Sequence, residues 1–241
     1  MMQGHDWSRA RCMILVVALA VSAPRAVLRA QDVAYAASLT DLDSATQAVL
    51  GREIALARAR GLPVDPLIAK VREGRLKRAP SARIRAAVER LSERLSTALD
   101  ALGAASTPEE VTAGADAIAA GAQASSLRAV RAATTQRVTA PVGALAQLLA
   151  SGVAEPKAVE MVLSLLRRNA APAMLIALGN QVEADVSTGL SASASAAFRL
   201  RAIENQLNGN VAAATTAGNL TDALGSGKNN TGAGTPPRRK P

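Results

Sequence analysis

An all-α fold is what this sequence predicts, and three observations predict it. Hydrophobic residues fill 49% of the 241 positions but aromatic ones only 1%, so the core has to be built from Leu, Val, Ile and Ala. Alanine and leucine give up least on entering a helix. Apolar residues recur in steps of three and four, and no stretch alternates β-branched with polar residues as a strand would. Proline and glycine punctuate the chain at helix-length intervals, which predicts about eight to nine short-to-medium antiparallel helices joined as hairpins.

The first helix is expected over Asp43 to Arg60, with Val49, Leu50, Ile54 and Ala57 on one side, closed by Gly61, Leu62 and Pro63 in the manner of a left-handed cap followed by proline. The second runs from Val64 to Glu73 and is expected to stop at Gly74. After Pro80 comes the clearest stripe, Ile84, Val88, Leu91, Leu95, Ala98 and Leu102, ended by Gly103. Ser106-Thr107-Pro108-Glu109-Glu110 carries the most specific local signal. Thr107 can cap a helix, Pro108 suits its first turn, and Glu110 can complete a capping box. That helix continues through Val111, Ala115 and Ile118 to Gly121. Further starts fall at Ser125 or Ser126, at Thr139 with Pro141, at Glu155 with Pro156, and at Pro172, whose stripe is Leu175, Leu178, Val182 and Val186. A last helix carries Phe198 and Ile203 to Leu207.

Helices opened by proline at 63, 108 and 156 are spaced 45 and 48 residues apart. This spacing resembles the two-helix units of HEAT and armadillo-type solenoids, whose period is about 40–47 residues. No repeat consensus accompanies it, and a closed bundle of antiparallel helices would be punctuated the same way. An irregular α-solenoid-like array and a closed helical bundle both remain open.

Residues 1–30 read as a secretory signal peptide: Arg9 and Arg11, then the apolar run Cys12 to Val21, then small residues up to Ala30. The run is about half of what a helix needs to cross a bilayer, so cleavage after Ala30 is expected to leave a mature chain without a transmembrane segment. Residues 31–207 are expected to form the helical domain and 208–241 a flexible, basic, low-complexity tail, in which 208–224 can hold one loose turn or short helix and the residues from Gly225 onward have too little apolar surface to fold. Cleavage also removes the only Cys, His and Trp, Cys12, His5 and Trp7. Disulfides, Cys or His nucleophiles and Cys/His metal sites are thereby excluded from the mature chain, and no cofactor is expected. The formal charge of +9 becomes +6 once Arg9, Arg11, Arg25, Arg29 and Asp6 are gone, which favours anionic partners.

Between Lys70 and Arg85 the cations Lys70, Arg72, Arg75, Lys77, Arg78, Arg83 and Arg85 face only Glu73. Arg85 has Glu89 four residues on as an ordinary surface partner. The excess, Lys70, Arg72, Arg75, Lys77, Arg78 and Arg83, gathers at the hinge between two helices and is the candidate anion-binding cluster. Helix dipoles explain cations near a helix C-terminus, as at Lys70 and Arg72. No aromatic residue lies between Asp41 and Phe198 to stack a base, so sequence-specific nucleic-acid binding is not expected.

The close acidic pairs, Asp41 with Asp43 and Glu109 with Glu110, sit at helix starts, where capping accounts for them. Ser151 and the serines between Ser191 and Ser195 have no histidine partner, and no SxxK occurs. The sequence therefore points to an exported, periplasmic or secreted, non-enzymatic helical binding or scaffold protein of a bacterial envelope, with a protein or anionic envelope component as partner. Two alternatives stand beside it: polyanion or envelope-surface binding through the hinge cations, and a cofactor-free hydrolase whose site is not legible.

Overall fold

In the computed structural model, residues 42–225 are described, with the backbone alone for 210–225. The segment 1–30 expected to be a signal peptide and the end of the expected tail, 226–241, lie outside the described residues. Within them every regular element is a helix: α1 (Ser44–Ala59), α2 (Asp65–Leu76), α3 (Ser81–Leu102), α4 (Pro108–Ala119), α5 (Ala124–Ala132), α6 (Thr139–Ala150), α7 (Glu155–Arg167), α8 (Pro172–Ser187) and α9 (Ala192–Gly225). The all-α class is as the sequence predicts. The chain divides into two compact units, one ending at Ser96 and the other beginning at Thr97, and the division falls within α3.

The first unit holds α1, α2 and most of α3. Asp43 caps α1, its Oδ1 accepting from the Thr46 amide at 2.9 Å. The Schellman-type ending is as expected, with Gly61 at φ +75° and the Leu62 amide donating to Ala57 O at 3.0 Å. The buried stripe of α1 is Thr46, Leu50, Ile54 and Ala57. Val49 is exposed instead, so the expected stripe was turned by one position at its N-terminal end. Thr46 can take an inner place because its hydroxyl is bonded: Arg85 Nη1 donates to it at 3.1 Å.

Gly74 does not stop α2, which runs on to Leu76. Its role is close packing: a Cβ there would lie 2.7 Å from Ile84 Cγ1 of α3. The left-handed cap falls at Arg78, φ +52°, where the Ala79 amide closes the turn onto Gly74 O at 2.9 Å. In α3 the whole expected stripe is buried, from Ile84 at 2% exposure to Leu102 at 4%.

In the second unit the helices alternate between two layers. α4 packs on α6, α6 on α8, and α8 on α9, while α5 packs on α7. The first-layer helices start at 108, 139 and 172, which is 31 and 33 residues apart. The expected spacings of 45 and 48, counted between prolines 63, 108 and 156, do not include the start of α6 at Thr139. Hydrogen bonds tie α6 to α8 and α7 to α9: Gln147 Nε2 to Asn180 Oδ1 at 2.8 Å, and Ser164 Oγ to Glu204 Oε1 at 3.0 Å. In α9 the buried positions are Ser195, Ala196 and Ile203, and Phe198 is 64% exposed. The helix continues past Leu207, where the sequence stripe fades, to Gly225.

Candidate functional site

Among the described residues several carboxylates are taken up by structural hydrogen bonds. Thr107 and Glu110 form the expected capping box: the Thr107 amide donates to Glu110 Oε2 at 2.9 Å, and the Glu110 amide to Thr107 Oγ1 at 3.3 Å. Glu110 does more than cap α4. It is 3% exposed, and its Oε1 accepts from the Val138 amide at 2.7 Å, with Arg131 Nη1 3.6 Å away. One carboxylate thus fastens the start of α4 to the start of α6. Glu155 works alike on α5, accepting from the Gln123 amide at 2.6 Å and from Ser126 Oγ at 2.8 Å. These bonds, the Gln123 amide first, lower its pKa. The sequence reading assigned the α5 cap to Ser125 or Ser126. The cap comes from Glu155, 32 residues further on, which local pattern does not reveal.

Asp43 accepts from the Thr46 amide and from Ser81 Oγ, the latter at 2.9 Å, and these bonds draw its carboxyl down to about 2. Asp185 of α8 receives Arg199 Nη2 at 2.7 Å, Arg199 Nε at 2.8 Å and Ser195 Oγ at 2.6 Å, and is likewise held at about 2. Among the described residues no group of three acids, His or Cys is placed to hold a metal.

The hinge cations gather on α2, on the linker from Lys77 to Pro80 and on the first turn of α3. Lys70 Nζ and Lys77 Nζ converge on Glu73 from either side at 2.5 and 2.6 Å. The two lysines, Lys70 first, pull the Glu73 carboxyl to about 2. The sequence reading counted both lysines as unpaired excess. They share one carboxylate, because positions three before and four after it lie on the same helix face. Arg75 is half-buried, while Arg72, Lys77, Arg78 and Arg83 are exposed. Arg85 turns inward to Thr46 and not along α3 to Glu89.

A second feature was not anticipated. Across the outer side of α4, α6 and α8 runs an apolar groove of about 710 Å³. It is lined by Ala113 of α4 and Ala120 at its C-cap, by Gly143, Gln147 and Ala150 of α6, and by Ile176 of α8. Gly143 has helical geometry, and a Cβ built on it meets nothing within 4 Å, so the floor is open there. Gln147 is fixed by its bond to Asn180 and leans on Gly179, whose Cβ would come 3.0 Å from Gln147 Cβ. A signal for the groove exists in the sequence: Ala140, Gly143, Gln147 and Ala150 recur in steps of three, four and three, opposite the buried Val142, Leu145 and Leu148. A helix apolar on both sides has a second surface to cover or to offer.

Among the described residues, fold and site together define an all-α protein. No protein-family model, curated protein or solved structure matches the chain.

Proposed function

We propose that the chain is an exported, non-enzymatic α-helical binding or scaffold protein of a bacterial envelope, its hairpins set as an irregular α-solenoid-like array. The observation that carries the reading is the groove over α4, α6 and α8. First-layer helices that start 31 and 33 residues apart, each packed on the next, repeat one surface along the unit. Small residues on that surface bring backbone close to whatever lies in the groove, and an apolar floor with Gln147 at its edge suits the apolar face of a partner protein's helix. The engagement of Asp43, Glu73, Glu110, Glu155 and Asp185 in structural bonds favours binding over hydrolysis.

Gly143→Phe fills the groove from its floor without touching the core. Tagged full-length protein should retain its partner from native extract, and Gly143→Phe, with unchanged helix content, should lose that partner while keeping proteins that bind elsewhere. Equal capture by both removes the groove from the function. Export is tested separately: N-terminal sequencing of the protein from the extracytoplasmic fraction should begin at Gln31, and an intact Met1 there would refute it.

A further inference from the structure

Three features of the α2–α3 tip stand out beyond the groove. Leu76, the last residue of α2, is 85% exposed, more than any other large hydrophobic residue among those described. Lys77 and Arg78 follow it directly, and both are exposed. Arg78 adopts φ +52°, a backbone position that disfavours a side chain with a Cβ. Other helix ends place glycine there, as at Gly61, Gly103, Gly121, Gly152 and Gly189, or asparagine at Asn169, which tolerates it. Among the described residues only this end holds an arginine in that conformation. Arg83 lies exposed in the first turn of α3, which has no acidic residue, and a cation there opposes the helix dipole. Neither capping nor the dipole explains these choices.

We propose that this tip docks on an anionic lipid surface. An exposed leucine ringed by cations fits the boundary between headgroups and acyl chains, where the apolar side chain enters and the cations meet lipid phosphates. A soluble polyanion would use Lys77, Arg78 and Arg83 but would have no use for Leu76, which is why lipid is preferred. Lys70 stays with Glu73 below the tip, and Lys77 is near enough to the surface to exchange Glu73 for phosphate.

The test is sedimentation of the full chain with phosphatidylcholine vesicles and with mixed phosphatidylcholine–phosphatidylglycerol vesicles. Basic residues beyond Gly225 are common to every variant, so differences between variants report the tip. Wild type should bind the anionic vesicles preferentially and lose binding as salt is raised. Arg78→Gly relieves the backbone conformation, so it should fold at least as well as wild type, yet bind about fivefold more weakly. Leu76→Ser should weaken vesicle binding by about tenfold or more and leave retention on heparin unchanged. Wild-type binding no stronger to anionic than to neutral vesicles overturns the proposal. So does a Leu76→Ser variant that binds anionic vesicles as tightly as wild type, an outcome that would indicate a soluble polyanion.

Discussion

Replacing Gly114 and Gly143 by alanine, one at a time, tests the packing of the second unit, because the same chemical change should have opposite signs at the two sites. Both glycines lie inside helices, where alanine is favoured by about 0.5–1 kcal/mol through lower unfolded-state entropy and better helix propensity. At Gly143 the new methyl meets nothing within 4 Å, so that gain should appear undiminished. For a chain of this size it corresponds to a rise of about 1–4 °C in Tm. At Gly114 the methyl would stand 2.8 Å from Ala98 Cβ and 3.1 Å from Leu102 Cδ1. Leu102 can change rotamer, but Ala98 cannot, so the backbones of α3 and α4 have to move apart. Overpacking of this kind costs about 1–3 kcal/mol, which leaves a net loss of about 0.5–2 kcal/mol once the helix gain is subtracted. Thermal melts followed by circular dichroism, with denaturant titration for the free energies, give both values. A destabilising Gly143→Ala, or a Gly114→Ala as stable as wild type, would refute the assignment of one glycine to an open groove and the other to a close helix contact.

Glu110→Ala should destabilise by about 2–4 kcal/mol in denaturant titration, since it strands the buried Val138 amide as well as the Thr107 amide and removes the partner of Arg131. A loss under about 1 kcal/mol would mean that Glu110 serves only as a cap. The carboxyls of Asp43, Glu73 and Asp185 are drawn to about 2 from 3.8, 4.5 and 3.8, so their bonds contribute fully above those ordinary values and are lost as pH falls towards the folded ones. Denaturation midpoints should therefore hold steady from neutrality to about pH 5 and then decline, and Asp185→Asn should show a shallower decline than wild type. An acid limb identical in the two would detach Asp185 from the coupling of α8 to α9.

What was legible in the sequence was whatever depends on neighbours within one or two turns. The stripe from Ile84 to Leu102, the capping box at Thr107 and Glu110, and the cap at Gly61 are all written in spacings of three to five residues, and the structure has each of them. The all-α class follows from the same local terms. Misreadings arose where a residue's role is set by a distant partner. Gly74 read as a stop because nothing local shows that Ile84 lies against it. Thr46 is missing from the expected stripe of α1 because the Arg85 bond that permits its burial spans 39 residues.

By itself the sequence determined which segments are helical and where most of them begin and end. Local propensity, capping and composition are sufficient for those conclusions, because each is settled before any helix meets another. Only the tertiary structure decided that α4, α6 and α8 follow one another in a layer, that Glu110 serves two helix ends while Glu155 of α7 caps α5, and that Gly143 faces an open groove while Gly114 faces Ala98. The physical reason is that helices with alanine-rich sides can pack along more than one of them. The pairing is then chosen by close contacts and buried hydrogen bonds between residues about 30 positions apart, which no helical periodicity encodes.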